Sequence, residues 1–263
     1  MDAIIDGWVV AKRNLIKIKR VPDLLIFSTI QPIMFVLLFA YVFGGAISAP
    51  GVNYREFLMA GIFTQTVAFG SSITGMGLAE DMTKGIIDRF RSLPMSRAAV
   101  LVGRTTSDLI NNVLVVVIMA ICGLIVGWRT HTNALDVAAG FGLLFLFGYA
   151  MSWISATIGL SVRSVEVAQS AGFIWMFPLT FLSNAFVPTD TLPTFLQYVA
   201  DWNPISAIVA ALRDLWGNAP TGAARGSGWS MENPGLYSMI TIAVILVVFV
   251  PLSIRAYRRA ASR

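Results

Sequence analysis

Uncharged apolar runs of about twenty residues recur along this chain, and each is long enough to cross a bilayer as a single helix. A helix rises 1.5 Å per residue, and the hydrocarbon core it must cross is about 30 Å thick. Six stretches meet that demand, near Leu24–Phe43, Phe57–Leu78, Leu109–Trp128, Val137–Leu160, Val167–Val187 and Tyr237–Ile254. They predict an all-α integral membrane fold with six transmembrane helices. Composition agrees: only 13% of the 263 residues are charged and mean hydropathy is +0.74, whereas a water-facing domain carries about 25% charged residues.

Lysine and arginine then set the orientation. The segment before span 1 carries Lys12, Arg13, Lys17, Lys19 and Arg20, and the loop between spans 2 and 3 carries Lys84, Arg89, Arg91, Arg97 and Arg104. Arg163 lies between spans 4 and 5, and Arg255, Arg258, Arg259 and Arg263 follow span 6. One side of the membrane thus holds fifteen basic residues, and the other only Arg55, Arg129, Arg213 and Arg225. The excess of positive charge marks the cytoplasmic side, so both termini are expected there, in a multi-pass plasma (bacterial inner) membrane protein. The basic residues flank apolar runs where lipid head groups lie, so the net charge of +5 does not point to nucleic acid. The first apolar run is too long for a signal-peptide core and no small-residue cleavage site follows it, so a permanent first span is expected.

Residues 1–22 read as an interfacial amphipathic helix, with Ile4, Ile5, Trp8, Leu15 and Ile16 on one face and Asp6, Arg13, Lys17 and Arg20 opposite. The outer segment 188–236 is too apolar for an open loop, yet Asp201, Asn203, Pro204, Arg213 and Asp214 interrupt it before it could span. Two short re-entrant helices joined at Trp202-Asn203-Pro204 fit that pattern, followed by a flexible surface loop from Gly222 to Ser230.

Chemistry is sparse. The chain has no phosphate-binding loop, no metalloprotease or hydrolase nucleophile motif, one histidine (His131) and one cysteine (Cys122). No catalytic, cofactor or metal site is expected. No acidic or basic residue is firmly placed inside a span, which disfavours a self-powered proton-coupled transporter. Gln31, Gln65, Thr64, Thr66, Ser71, Ser72, Asn111, Asn112, Thr180, Ser183 and Asn184 are the polar groups within the apolar runs. They serve helix packing or line a path, and span 2, with Gln65, Thr66, Ser72 and Thr74 among glycines, is the best candidate for a path. Gly123 and Gly127 form a GxxxG packing pattern in span 3. In the inner region 79–108, Ile86, Ile87, Phe90 and Leu93 form an apolar stripe beside Lys84, Asp88, Arg89 and Arg91, and Pro94 ends it. Such a stripe lies either on lipid or in a groove of a partner protein.

The stretch Ile87-Asp88-Arg89-Phe90-Arg91-Ser92-Leu93-Pro94-Met95, followed by Gly103-Arg104 and Asp108, resembles the cytoplasmic signature of ABC type-2 (ABC-2) transporter permeases, closest to the daunorubicin-resistance DrrB-like branch. A second match is Leu182-Ser183-Asn184-Ala185-Phe186-Val187-Pro188, with Leu192-Pro193, Trp202-Asn203-Pro204 and Ala211-Leu212-Arg213. The resemblance covers essentially the whole chain as one transmembrane domain, 1–263. It implies the six-span, ABCG-like (type V) exporter fold and a multidrug exporter moving amphipathic drugs or lipids. It further implies pairing with a second permease, identical or homologous, and with two cytoplasmic ABC ATPase subunits that bind ATP and Mg. The permease itself would hold no cofactor. By similarity, Gly85, Ile86, Ile87, Arg89, Phe90, Arg91 and Leu93 would form the coupling helix seated in the ATPase, with Arg163 and Glu166 making a second contact. A path between permeases, lined by spans 1, 2 and 5, would draw on Gln65, Phe69, Ser72, Phe173, Met176, Phe177 and Phe181. A permease for lipid-linked or polysaccharide cargo, and a non-transporting membrane scaffold, remain alternatives at this stage.

Overall fold

The structure is a computed structural model describing residues 23–44, 47, 49–85 and 97–260. The expected interfacial helix over 1–22 lies outside the described residues. Among those described, the secondary structure is helical throughout. Helix α1 (Asp23–Leu37) contains Pro32 and continues as a π-helical turn, Leu38–Phe43. Helices α2 (Tyr54–Gly70) and α3 (Ser72–Thr83) follow each other across Ser71, then come α4 (Arg97–Val126), α5 (Ala134–Ser161) and α6 (Val165–Phe181). Two short helices, α7 (Thr194–Asp201) and α8 (Pro204–Trp216), precede a single helical turn α9 (Trp229–Glu232) and the last helix α10 (Pro234–Ala260). Among the described residues, four segments are long and apolar enough to cross a membrane: Tyr54–Thr83, Leu101–Val126, Ala134–Ser161 and Pro234–Arg259. Thr29–Phe43 is a shorter apolar helix.

The α2–α3 rod is the centre of the molecule. Its residues from Phe57 to Ala68 are all buried, so its many small and polar side chains face protein and not lipid. Backbones reach it closely where glycine permits. A Cβ on Gly61 would collide with the Ala185 carbonyl, and one on Gly159 of α5 would collide with the backbone of Gly75. The rod breaks at Gly70-Ser71, where the Ser71 hydroxyl donates to the Ala68 carbonyl (2.6 Å) and competes with the helical ladder. By contrast, α4 exposes Leu114, Val117, Ile121 and Ile125, and α10 exposes Met239, Val244, Val247 and Leu252. Those two helices carry outward apolar faces, as do α1 with its π turn, through Met34 and Val42, and α6, through Ile174.

The end of the molecule that holds the α4–α5 turn closes around a buried aromatic group. Phe63 lies 5.3 Å from Trp128 and 5.4 Å from Trp216, and Phe141 lies 5.1 Å from Trp216. The Trp128 indole donates to Asn218 Oδ1 (3.1 Å), and Asn218 Nδ2 donates to the Arg129 carbonyl (2.9 Å). Both polar ends of that cluster are therefore satisfied.

Three elements differ from their sequence reading. The fifth apolar run was expected to stay helical to Val187, but α6 stops at Phe181, just after its internal Pro178. Beyond it the backbone is unwound, and side chains take up its polar groups. Asn203 Nδ2 donates to the carbonyls of Leu179 and Leu182 (both 2.7 Å), while Ser206 Oγ accepts from the Asn184 N–H (3.0 Å). Arg213, 2% exposed, donates to the carbonyls of Asn184 (2.9 Å), Ala185 (3.2 Å) and Phe57 (3.0 Å). The Tyr54 hydroxyl donates to the Phe186 carbonyl (3.0 Å), and the Arg213 guanidinium lies 3.4 Å from the Phe57 ring centre. A buried unwound strand is tolerable only when its backbone groups are taken up in this way.

The second difference is the Gly222–Ser230 segment, expected to be a flexible surface loop. It contains a short 3-10 turn, Gly222–Arg225, and its serines are tied to Asp201. Ser227 donates through both its N–H (3.1 Å) and its hydroxyl (3.0 Å) to Asp201 Oδ2, and Ser230 donates to the Asp201 carbonyl (2.6 Å). Gly and Ser composition suggested freedom, but a buried carboxylate supplied the missing partner. Third, α4 begins at Arg97, well ahead of the expected start at Leu109, and so carries Arg104 and Asp108 inside a helix.

Replacing Arg213 with Met strips three carbonyls of a charged donor, and should lower the unfolding free energy in detergent by about 3 kcal/mol or more. Arg225→Met, which breaks the exposed pair with Asp214 (2.8 Å), should cost ~1 kcal/mol or less. Equal losses in thermal unfolding would contradict the clamp.

Candidate functional site

A cavity of about 160 Å³ opens where the α2–α3 rod breaks. Gln31, Pro32 and Phe35 of α1, Gln65, Thr66, Phe69 and Gly70 of α2, Ser72, Ile73 and Met76 of α3, Asn111, Asn112 and Val115 of α4, and Phe173 of α6 line it. Losing helical regularity at Ser71 separates the side chains above and below it, and so makes room. Of the residues expected to line a path, Gln65, Phe69, Ser72 and Phe173 come together here.

Phe177 and Phe181 extend the site as part of an aromatic column. Phe69 lies 5.9 Å from Phe173 and 5.3 Å from Phe177, Phe177 lies 5.8 Å from Phe181, and Phe181 lies 5.5 Å from Phe186. Phe186 then meets Phe39 (4.7 Å), which is flanked along α1 and its π turn by Phe35 (6.0 Å) and Phe43 (5.2 Å). The column therefore runs from the cavity to the unwound segment after α6. Phe177 and Phe181 are 42% and 47% exposed, so an apolar body can lie along it without first opening the core.

Met176 is placed elsewhere. It is fully buried between α3 and α6, and its sulfur accepts from the Ser72 hydroxyl (3.6 Å). The helical step of 100° per residue turns it away from Phe173 and Phe177 and into the packing. Phe35, Phe39, Phe43 and Phe186 join the column without having been expected in it. The first three recur every four residues, a spacing that puts them on one helix face and was available in the sequence.

The α3 end of the rod is fastened by a buried ion pair. Arg104 Nε donates to Asp108 Oδ2 (3.0 Å) one turn along α4, with the two side chains 11% and 10% exposed. The guanidinium also reaches the Ile73 carbonyl (3.4 Å) and covers Gly77, whose missing side chain leaves the space. Arg104 thus joins α4 to α3. The two charges sit within an apolar helix because each neutralises the other. This is where the expectation of charge-free span interiors fails.

Of the residues expected to contact an ATPase, Ile86, Ile87, Arg89, Phe90, Arg91 and Leu93 lie outside the described residues. Gly85 is described: it follows the end of α3 with φ +64°, a conformation that favours glycine. Arg163 and Glu166 are both exposed, at the turn between α5 and α6. Ser164 caps α6, its hydroxyl accepting from the Val167 N–H (3.3 Å). Hydrogen bonds from the Ser164 side chain and from its own backbone N–H hold the Glu166 carboxyl below the usual carboxylate range. The carboxylate therefore stays charged at the positive end of α6. Among the described residues, no cluster of three or more His, Cys, Asp or Glu residues could hold a metal ion.

The family model for ABC-2 type transporters matches residues 6–216, a stretch that contains the rod, the cavity, the column and the Arg213 clamp. The chain belongs to the ABC-2 type transporter family. This ABC-2 permease is 32% identical to the daunorubicin resistance ABC transporter permease protein DrrB1 of Streptomyces coeruleorubidus, over 94% of its own length and 83% of the relative's. It is 24% identical to the probable doxorubicin resistance ABC transporter permease protein DrrC of Mycobacterium tuberculosis, over 89% and 82% of the two chains. A putative transport permease, ycf38 of Cyanophora paradoxa, is 26% identical over 81% and 74%.

Removing Arg104 alone strands a buried carboxylate. Arg104→Met should destabilise this permease by about 3–5 kcal/mol, while the double variant Arg104→Met/Asp108→Leu should recover more than half of the loss. Thermal unfolding of the four proteins of that cycle tests it, and additive losses would contradict the pairing.

Proposed function

We propose that this chain is the transmembrane subunit of an ATP-driven exporter that carries amphipathic drugs or lipids out of the cytoplasm or the inner leaflet. The observation that carries this reading is the amide-lined cavity at the break in the central rod, continued by a phenylalanine column. That combination suits a cargo with a flat apolar body and a polar end better than it suits an ion. The relatives named for daunorubicin and doxorubicin resistance support a drug as cargo.

In this reading the chain spans a bacterial inner membrane six times with both termini in the cytoplasm, an interfacial helix over 1–22, and α7 and α8 dipping into the outer leaflet. Two permeases, identical or homologous, pair and bind two cytoplasmic ATPase subunits, which hold ATP and Mg. Gly85, Ile86, Ile87, Arg89, Phe90, Arg91 and Leu93 form the main contact with the ATPase, and Arg163 and Glu166 form the second. Gln65, Phe69, Ser72, Phe173, Phe177 and Phe181 line the path, with Met176 supporting Ser72 from behind.

The geometry supports a mechanical link between these parts. The ATPase-facing segment joins the end of α3 to the start of α4, and both helices wall the cavity through Ile73, Met76, Asn111 and Asn112. The Arg104 contact to the Ile73 carbonyl keeps them together, so a displacement of that segment moves one wall of the cavity as a unit. ATP does no chemistry in this chain. It shifts the balance between a state whose cavity is open inward and one whose column is open outward, through the differing affinities of the ATPase for the two states.

The test is reconstitution with the ATPase. Phe90→Asp should reduce both transport and cargo-stimulated ATP turnover to background while leaving the chain inserted. Phe177→Ala should lower transport about tenfold, equivalent to ~1.4 kcal/mol of lost differential binding. Full transport by Phe90→Asp would overturn the coupling role.

A further inference from the structure

The last helix, α10, ends in arginine and carries no acidic residue. From Asn233 to Arg263 the sequence holds Arg255, Arg258, Arg259 and Arg263, without one Asp, Glu or Lys. Arg255, Arg258 and Arg259 are exposed. Among the described residues, no carboxylate pairs with Arg255 or Arg258.

One face of this helix end is pinned to α5. The Ser253 hydroxyl lies 2.7 Å from the Thr157 hydroxyl and 3.0 Å from the Trp153 carbonyl, and Tyr257 is buried in the same cluster as Leu160. At 100° per residue, Val244, Val247, Val248 and Leu252 lie on the far side of the helix from Tyr257, within an arc of about 140°. All four are exposed. Arg255, Arg258 and Arg259 fall within that same arc, so the outward apolar stripe runs directly into guanidinium groups. The α5–α6 turn, which follows Leu160, comes out beside them, and its Arg163 and Glu166 add no net charge.

Depth agrees with this pattern. Leu236 is exposed near the start of α10 and lies about 28 Å before Arg255 along the axis. A hydrocarbon core about 30 Å thick that begins at Leu236 therefore ends at Arg255, and Arg258 and Arg259 stand about 5 Å further out, among head groups. Diffuse attraction to a negative surface needs only point charges, for which lysine serves. The arginine fork is less strongly hydrated and meets a phosphate through two parallel hydrogen bonds. Arg255 and Arg258 are three residues apart, which puts their Cβ atoms about 5–6 Å from each other, so both forks can reach one phosphate. A zwitterionic head group brings a cation of its own to this site, and a net-negative one does not.

We propose that the end of α10 is a binding site for an anionic phospholipid. Its phosphate is held between Arg255 and Arg258, Arg259 adds charge, and its acyl chains lie along Val248 and Leu252. The proposal is independent of which cargo the permease carries.

Native mass spectrometry of the delipidated full chain in neutral detergent, titrated with dioleoyl phosphatidylglycerol or dioleoyl phosphatidylcholine, tests it. Phosphatidylglycerol should bind at least tenfold more tightly. The double variant Arg255→Gln/Arg258→Gln should lose that preference while its affinity for phosphatidylcholine stays within about twofold. Arg255→Lys/Arg258→Lys keeps both charges and should still weaken phosphatidylglycerol about threefold or more; it decides the matter if thermal unfolding shows the glutamine variant to be misfolded. Arg225→Gln, which removes a charge elsewhere, should change neither lipid. Equal binding of the two lipids, or a preference that survives the glutamine variant, overturns the proposal. A lysine variant as tight as the parent also overturns it, since charge alone would then suffice. Capture of the partner ATPase in lipid-free detergent covers the competing use of this stripe: capture retained by the glutamine variant supports the lipid, and capture lost gives these arginines to the ATPase instead.

Discussion

A guanidinium with almost no solvent contact holds this permease in shape. Arg213 collects carbonyls from the start of the central rod and from the unwound strand beyond α6, joining residues 156 positions apart in sequence. In a hydrocarbon setting there is no water to take over a released carbonyl, so a strand that leaves the helix must find donors within the protein. Asn203 and Tyr54 complete the set, and Phe57 offers its ring face to the same cation. That arrangement permits α6 to end early, sends Phe186 back towards α1, and joins the aromatic column to the clamped segment.

The second constraint is the rod itself. A continuous helix from Tyr54 to Thr83 made of large residues would pack as an inert centre. Instead Gly61 and Gly75 admit neighbouring backbones, and Gly70-Ser71 loosens the ladder where Gln65, Asn112 and Phe69 face a common space. The clamp and the Trp128–Trp216 group lie towards one end of the rod, and polar side chains gather at the break. The other end carries the Arg104–Asp108 pair, which ties the two helices flanking the segment proposed to meet the ATPase.

Much of the helical layout was legible because an uncharged run of about twenty residues has few alternatives. The join at Asn203-Pro204 was legible for a local reason as well: Asn caps, its Oδ1 accepting from the Ile205 N–H (2.8 Å), and proline suits the first helical position. What escaped the sequence was what depends on distant partners. Nothing near Arg213 announces that it will be buried, and nothing near Ser227 announces Asp201. Arg104 and Asp108 looked like loop charges because charge ordinarily marks a helix's end in a membrane, and only their spacing of four hinted at a pair. Gln65, Phe69, Ser72 and Phe173, which line the cavity, stood out in the sequence as polar and aromatic residues against an apolar background. Met176 has the same apolar character in sequence, but the helical turn directs it into packing against Ser72, and Phe35 and Phe39 look in sequence like ordinary membrane residues.

The proposed path makes one demand that can be measured directly: the same cavity must face each side of the membrane in turn. Cys122→Ser gives a background for single cysteines placed by Gln65→Cys and Phe181→Cys, probed with a membrane-impermeant thiol reagent in vesicles of both orientations, with the ATPase free or trapped with nucleotide. Position 65 should react from the cytoplasmic side only without nucleotide, and position 181 from the outer side only in the trapped state. Reactivity at both positions that ignores nucleotide, or at neither from any side, would contradict an alternating path through this cavity.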